Sequence, residues 1–191
     1  MCKLAITTKI GDKGKTSILF GRMVSKADPM LDVCGTVDEL TASVGVARAS
    51  ANAPNIKQEL LELQHTLFII GAEVATHTDD YHKLKKTISK EDVDGMDLAI
   101  SDLEKYNDIN NWFIPGDILS SAQLEQSRTI ARRLERRLIQ LGNENQHLQI
   151  YVNRLSDYLW LLAQKEEYYV RGIERKQTEE TVKEQQTTIS T

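Results

Sequence analysis

Apolar residues recur at the three- and four-residue spacing of an α-helix in five segments of this 191-residue chain. The stripes are Leu40, Val44 and Ala47; Leu60, Leu63, Leu67, Ile70 and Val74; Val93, Met96, Ile100 and Leu103; Leu124, Ala131, Leu134, Leu138 and Leu141; and Leu148, Val152, Leu155, Leu159 and Leu162. The second segment, about 55 to 76, is apolar on more than one side, which predicts a central position. Strand-like alternation is confined to 5–8 and 17–20. The pattern predicts an all-α protein, a five-helix antiparallel bundle.

Local signals mark the helix ends. Ser89 and Asp92 have the spacing of a capping box, which predicts that the third helix begins there. Gly142 follows the last apolar position of the fourth helix and predicts its end. The three prolines, Pro29, Pro54 and Pro115, fall where the helical pattern is absent or just beginning.

The two ends of the chain differ from this helical middle. Residues 1–34 contain Gly11, Gly14 and Gly21 among Lys, Thr and Asp, a composition typical of a loop shaped by what it binds. Residues 171–191 have few apolar positions, which predicts a disordered tail. The sequence thus indicates one domain over 1–170, with a loop region (1–34) followed by a helical bundle (35–170).

Composition narrows the function classes. A net charge of −4 disfavours a nucleic-acid-binding protein, and two cysteines are too few for a disulfide framework. The most apolar stretch, Leu67 to Ala72, is far shorter than the roughly 18 residues of a membrane span. The N-terminus also lacks the apolar run of a secretion signal. We therefore expect a cytoplasmic protein with no nucleic-acid or membrane partner.

The segment Gly11–Ser17 combines glycines with lysine and threonine. Glycines allow backbone N–H groups to turn toward an anion, while Lys and Thr add a charge and a hydroxyl. Its Gly14-Lys15-Thr16 resembles a P-loop, but a Walker motif needs a glycine where Lys9 stands. Two interpretations stay open, an anion-binding loop and a plain solvent turn.

Five arginines lie within ten residues of the fourth helix: Arg128, Arg132, Arg133, Arg136 and Arg137. At about 100° per residue, Arg128, Arg132 and Glu135 share a narrow sector beside the apolar stripe. This flank favours a buried acidic partner or a polyphosphate for Arg128 and Arg132. Arg133 and Arg137 point to the far side, where we expect a solvated face with i,i+4 ion pairs.

The fifth helix has a second ridge opposite its apolar stripe. Asn153, Asp157 and Trp160 follow one another at i, i+4 and i+7. Such a ridge faces either water or a partner, and an exposed tryptophan favours the partner.

Two Glu-x-x-His pairs, Glu62/His65 and Glu144/His147, raise the alternative of a di-iron carboxylate site. The second pair falls in the link between two helices rather than on a helix facing the first. Ordinary surface residues are therefore the favoured interpretation, and no protein metal site is predicted.

Four motifs in order over residues 5–165 resemble the PduO-type family of ATP:cob(I)alamin adenosyltransferases. They are TKIGDKGKT at 8–16, GTVDEL at 35–40, RTIARRLER at 128–136 and NRLSDY at 153–158. The resemblance implies the ferritin-like cobalamin adenosyltransferase fold, assembled as a homotrimer with active sites between neighbouring subunits. It implies transfer of the 5′-deoxyadenosyl group of ATP to the cobalt of cob(I)alamin, with release of triphosphate.

The resemblance also implies the nucleotide site. The loop residues that wrap ATP are Thr8, Gly11, Asp12, Gly14, Lys15 and Thr16. Lys26 matches a lysine that reaches the phosphates, and Arg132 and Glu135 match residues that bind triphosphate and its Mg²⁺. Asn153 matches a nucleotide contact, and Asp157 of the same motif is assigned to the same site.

On the corrinoid side, Asp38 and Arg128 match an acid–arginine pair that bridges subunits. Trp112 stands where the family has a phenylalanine on the corrinoid's lower face, and these three are the predicted catalytic residues. A reductase that supplies the reduced cobalt and an adenosylcobalamin-dependent enzyme that uses the product are the expected partners.

Other positions near the corrinoid side depart from the family pattern. Asp117 replaces a second glycine, Glu125 replaces a usual histidine, and Met30 replaces an arginine. Two alternatives to the enzyme therefore stay open. One is a non-catalytic ATP- or cobalamin-binding carrier or sensor on the same bundle, and the other is a helical interaction protein.

Overall fold

The structure, a computed structural model, describes residues 10–105 and 114–189, with side chains over 11–105 and 114–172. The long helices in this part of the chain are α1 Pro29–Ser50, α2 Pro54–Val74, α3 Lys90–Glu104, α4 Leu119–Leu141 and α5 Gln146–Ile189. They confirm the five predicted helices and the all-α class. Short elements accompany them: strands β1 Lys15–Ser17 and β2 Met23–Ser25, and 3-10 helices Ile10–Lys13, Leu19–Gly21 and Thr78–Lys83.

The helices pack in the spatial order α2, α1, α4, α5, α3. Leucines of the predicted stripes, such as Leu40, Leu67, Leu134 and Leu155, are fully buried between them. Burial of apolar side chains supplies most of the stability of such a bundle. The central helix is α4, which packs on both α1 and α5. The expected central position of α2 is wrong, because its extra apolar residue Phe68 is 72% exposed on the outside.

The helix ends follow the sequence signals. Asp28 caps α1 by accepting the Met30 N–H at 2.9 Å. Asp92 accepts the Ser89 N–H at 3.0 Å, which confirms the capping box of α3. Gly142 ends α4 in the left-handed conformation, with φ 73°.

Two predicted boundaries differ from the structure. The bundle begins at Pro29 rather than at residue 35, because Asp28 and Pro29 already form the start of α1. The backbone of α5 is helical as far as Ile189, through the segment for which composition predicts disorder. Its Glu, Gln, Lys and Arg residues have good helix propensity, and the packed part of α5 provides the nucleus from which the helix continues. Over the described ranges, no helix is long and apolar enough to cross a membrane.

Candidate functional site

Residues 11–26, called the glycine loop below, form a loop that is closed by a backbone hydrogen bond of Lys26. The Lys26 N–H donates to the Gly14 carbonyl at 2.8 Å, and the Gly14 N–H donates to the Gly11 carbonyl at 3.3 Å. Gly14 has φ 74°, a conformation that glycine adopts readily. A Cβ at Gly11 would lie 2.9 Å from Lys26 Nζ, so a side chain there would displace the ammonium. The loop is therefore an ordered structure built around Lys26.

The other loop residues lie on a short hairpin. β1 pairs with β2 in antiparallel register, with Lys15 opposite Ser25. Asp12, Lys15 and Lys26 are exposed and Thr16 is half-buried, so their side chains are accessible to a ligand. Ammonium groups beside turned backbone N–H groups suit an anion such as a phosphate chain.

The hairpin is tied to the end of α2 by contacts that the sequence patterns did not reveal. The Leu19 N–H donates to the Ala75 carbonyl at 3.1 Å. Arg22 forms ion pairs with Asp79 at 2.9 Å and with Asp80 at 2.5 Å. Arg22 and Lys83 lower the pKa of Asp80 to about 2, because both hydrogen-bond to its charged form. The sequence did contain a signal for this contact, since Asp79 and Asp80 lie close to Lys83. Charged groups of this kind occur on many protein surfaces, however, so the signal was not specific.

A second group of predicted residues lies along the α4–α5 seam, which comprises Arg128, Arg132 and Glu135 of α4 and Asn153, Asp157 and Trp160 of α5. The antiparallel register of the seam is set by two hydrogen bonds. Asn153 Nδ2 donates to Glu135 Oε1 at 2.7 Å, and Ser120 Oγ donates to Glu166 Oε1 at 2.7 Å. This register places Arg132 opposite about residues 154–156 of α5, and Arg128 opposite about residues 158–160.

The Arg132 end of the seam is open. Arg132, Asn153 and Asp157 are exposed, and Glu135 is half-buried. Among the described residues, the Arg132 guanidinium has no hydrogen-bond or ion-pair partner. A cleft of about 220 Å³ lies beside Glu135 and Asn153, with Leu138, Ile139 and Ile150 among its other walls. A guanidinium with no partner in the described chain is suited to an anionic ligand.

At the other end of the seam, Arg128 has an acidic partner on its own helix. Arg128 Nε donates to Glu125 Oε2 at 2.9 Å, and the Glu125 side chain is 10% exposed. Asp38 instead lies exposed on α1. Burial, and secondarily the Asp38 carboxylate, raises the pKa of Cys34 to about 11. Within the described chain, Asp38 and Arg128 share no hydrogen bond or ion pair.

Arg133 and Arg137 do not have the predicted i,i+4 ion-pair partners. Arg133 forms an ion pair with Glu39, and Arg137 forms one with Asp32 at 2.8 Å. Both acids belong to α1, so these arginines join two helices rather than form i,i+4 pairs on a solvated face. The helical wheel could not reveal this, because it does not say which face of α4 meets α1.

Several remaining positions have a definite place. Asp117 forms an ion pair with Arg171 at 3.0 Å, and Met30 is partly buried against the core at the start of α1. Thr8 and Trp112 lie outside the described residues.

No group of three or more His, Cys, Asp and Glu side chains within the described ranges could hold a metal ion. The di-iron alternative therefore has no support in this part of the chain. Glu135 could still contribute to a Mg²⁺ bound mainly by phosphates, since Asn153 occupies only its Oε1. Mg²⁺ in nucleotide sites takes one or two carboxylates and the substrate's own oxygens.

A cavity of about 800 Å³ lies at the end of the bundle near the start of α3 and α5. Its wall includes the buried Glu73, which accepts hydrogen bonds from Tyr81, from the Ile88 N–H at 2.8 Å and from Asn145 at 2.6 Å. Burial and Glu73 raise the pKa of Tyr81. Because both carboxylate oxygens of Glu73 are satisfied, this network holds the bundle end together.

Comparison with known proteins gives consistent matches. The family model for cobalamin adenosyltransferase matches residues 6–166. A corrinoid adenosyltransferase from Citrobacter freundii is 38% identical over 166 residues, which cover 85% of this chain and 94% of that protein. The corrinoid adenosyltransferase PduO of Salmonella typhimurium is 35% identical over 86% of this chain, which spans only 50% of that protein's length.

A solved structure is also similar. It is a variant of a PduO-type ATP:corrinoid adenosyltransferase from Lactobacillus reuteri, complexed with cobalamin and ATP. It is 33% identical, covers 87% of this chain and 96% of its own, and has a TM-score of 0.79.

Proposed function

Because this chain belongs to the cobalamin adenosyltransferase family, we propose that it transfers the 5′-deoxyadenosyl group of ATP to the cobalt of cob(I)alamin. The products are adenosylcobalamin and triphosphate, so the protein is a transferase. A non-catalytic carrier or sensor is the less favoured function, since its curated relatives are named as adenosyltransferases.

The proposed assembly, with sites shared between subunits, rests on one observation. The two regions of the site lie apart from each other within one chain. The glycine loop is tied to Ala75 and Asp80 at the end of α2, whereas the seam lies between α4 and α5. The printed bonds of the loop to the helical body run from Leu19 to Ala75 and from Arg22 to Asp79 and Asp80, whereas Asn153 and Glu135 of the seam bond to each other. A complete site then needs the loop of one protomer and the seam of another, which supports sites between subunits; that the assembly is a homotrimer is proposed from the family resemblance.

In this assembly the nucleotide is held from two sides. The glycine loop, with Thr8, Asp12, Lys15 and Thr16, would wrap ATP, and Lys26 would reach its phosphates. Arg132 would bind the triphosphate from the seam, where its guanidinium has no partner among the described side chains. Asn153 and Asp157 would contact the nucleotide. When bound, Mg²⁺ would neutralise phosphate charge, and Glu135 is the carboxylate placed to hold it.

The reaction is a displacement at the ribose C5′. The cobalt of cob(I)alamin supplies the electron pair, the Co–C bond forms, and the C5′–O bond breaks with its electrons leaving on triphosphate. The cofactor therefore carries the difficult chemistry, and the protein contributes position and charge. Holding the two substrates in line can lower the activation free energy by about 7–11 kcal/mol, because the entropy of bringing them together is lost on binding. Cationic groups at Lys15, Lys26 and Arg132 would stabilise the leaving triphosphate.

The corrinoid would lie at the Arg128 end of the seam. There Asp38 of a neighbouring protomer would meet Arg128, since the two share no hydrogen bond or ion pair within the described chain. Trp112 is proposed to pack on the lower face of the corrinoid. A cytoplasmic location, a reductase partner and an adenosylcobalamin-dependent partner enzyme stay predictions.

An anaerobic assay tests this function. Purified protein is mixed with Mg-ATP and chemically reduced cobalamin, and the absorbance spectrum is followed to adenosylcobalamin while triphosphate is quantified. One triphosphate per adenosylcobalamin is the expected result. Ligand binding without product would instead support the carrier or sensor. Sedimentation of the same sample should give the mass of a trimer.

A further inference from the structure

A buried carboxylate outside the seam joins the glycine loop to the body of the bundle. Asp80, whose side chain is only 7% exposed, lies in the 3-10 helix Thr78–Lys83. One of its oxygens accepts from Arg22 Nε at 2.5 Å, and the other accepts from Lys83 Nζ at 2.6 Å. Asp80 therefore uses both oxygens to connect segments that lie 58 residues apart in sequence.

Phe20 completes this connection from the turn of the hairpin. The Lys83 ammonium lies 5.5 Å from the centroid of the Phe20 ring, within the range of a cation–π contact. Phe20 has φ 63°, the left-handed conformation that is costly for a residue other than glycine. Such a conformation persists only where neighbouring contacts hold it. Phe20, Arg22, Asp80 and Lys83 together are called the loop anchor below.

The hairpin depends on an anchor of this kind. Its strands have three residues each, and two-stranded hairpins are at best marginally stable in water. β1 follows directly on Gly14, and β2 directly precedes Lys26. The position of the hairpin therefore decides whether the Gly14–Lys26 hydrogen bond and the ammonium beside Gly11 are in place.

We propose that Asp80 is a positioning residue for the nucleotide, which holds the glycine loop in its ATP-binding conformation before ATP arrives. This inference rests on the proposed function. The apparent dissociation constant of a ligand equals its intrinsic value divided by the fraction of protein in the binding-competent form. Loss of the anchor lowers that fraction, so it weakens ATP binding but leaves the rate at saturating ATP nearly unchanged.

The test compares Asp80→Asn with Asp79→Asn. Both changes remove one carboxylate charge that pairs with Arg22, but the Asp79 side chain is 65% exposed and that of Asp80 is 7% exposed. For Asp80→Asn we expect the ATP KM to rise about 10-fold or more, because a charge-assisted hydrogen bond is lost from a buried site. We expect kcat and the corrinoid KM to stay within about 2-fold, since the ordered loop is restored by saturating ATP. Asp79→Asn should change the ATP KM by less than about 2-fold, as is usual for an exposed pair.

Hydrogen exchange without ligand gives a second measurement. In Asp80→Asn the N–H groups of Ile18 and Lys26, which donate within the loop, should exchange faster, while those in the middle of α4 should not change. Equal ATP KM values for the two variants, or a fall in kcat with unchanged ATP KM, would overturn the proposal. If Asp80→Asn does not fold, Arg22→Gln breaks the same bond from the loop side and should reproduce both effects.

The outcomes separate this inference from the proposed function. If wild-type protein forms no adenosylcobalamin, the proposed function fails, and loop exchange still tests the anchor. If wild-type protein turns over normally and Asp80→Asn does too at low ATP, only the positioning role fails.

Discussion

Arg132 and Arg133 are adjacent in α4 but have opposite environments. Arg133 pairs with Glu39 of α1, whereas the Arg132 guanidinium has no partner among the described residues. A step of about 100° around the helix axis turns one arginine toward a neighbouring helix and the next toward the open seam. The two positions therefore separate a structural role for Arg133 from the proposed binding role of Arg132.

Arg132→Ala should abolish most ATP affinity and leave the melting temperature of the free protein unchanged. The change removes a cation without removing any side-chain hydrogen bond or ion pair within the described chain. We expect at least about 100-fold weaker ATP binding, consistent with the loss of charge-assisted hydrogen bonds to phosphate. Mg-ATP should raise the melting temperature of wild-type protein through ligand linkage but not that of the variant.

Arg133→Ala is the matched control for this variant. It removes the ion pair with Glu39, so it should lower the free energy of unfolding slightly, by about 0.2–1 kcal/mol. ATP titration should give wild-type affinity. The same loss of ATP binding in both variants would contradict the division of roles between the two arginines.

Gly14→Ala should weaken ATP binding through backbone strain. At φ 74° an alanine costs roughly 1–2 kcal/mol more than a glycine. If the loop must keep this conformation to bind ATP, this cost corresponds to about a 5- to 30-fold loss of ATP affinity. Isothermal titration with ATP measures the effect. Gly95→Ala, in the interior of α3 with no heavy atom near the added Cβ, should instead stabilise the protein by about 0.5–1 kcal/mol without affecting titration.

Glu125→Gln tests a buried polar atom at the Arg128 end of the seam, where the corrinoid is proposed to bind. Glu125 Oε2 accepts from Arg128, but Oε1 is buried and has no hydrogen-bond partner in the described chain. A buried charged oxygen without a donor is costly, so removal of the charge should not destabilise the fold by more than about 1 kcal/mol. It also removes the acid that pairs with Arg128, so the Arg128 charge is available for the proposed Asp38 of the neighbouring protomer.

Urea unfolding and sedimentation equilibrium measure these two effects. We expect a free energy of unfolding no more than about 1 kcal/mol below that of wild type. The proposed trimer should dissociate at lower protein concentration than it does in wild type. Glu167→Gln is a control, because Glu167 is also a buried glutamate paired with an arginine, Arg171, at 2.6 Å. A weaker trimer in Glu125→Gln would contradict the proposed subunit contact of Arg128.

The loop anchor should show a defined acid dependence. The pKa of Asp80 is lowered to about 2 in the folded protein, from a usual value near 4. A carboxyl with a lowered folded-state pKa contributes stability that is fully present above the unfolded-state pKa and is lost as pH falls through the folded-state value. The difference in loop protection between wild type and Asp80→Asn should persist above about pH 4 and disappear near pH 2. Hydrogen exchange at Ile18 and Lys26 across this range provides the measurement, and a difference that persists below pH 2 would contradict the assignment.

Much of the fold could be predicted because it depends on local periodicity. The stripes through Leu40 and Leu134 place apolar side chains on one face of each helix, and burial of that face follows from the hydrophobic effect. Asp92 and Gly142 mark helix ends through contacts within one turn. The order of packing was not predictable in the same way, since the exposed Phe68 of α2 looks like a core residue in sequence.

The sequence by itself determined the five helices and the glycine-containing loop near the N-terminus. It also determined that Arg132 and Asn153 each belong to a polar row on a helix. These features depend on backbone conformation and on spacing along one helix. Only the tertiary structure decided that Asn153 meets Glu135, that Arg133 meets α1, and that Asp80 holds the glycine loop. Those contacts join residues far apart in the chain, and their partners depend on how whole helices pack, which no local pattern specifies.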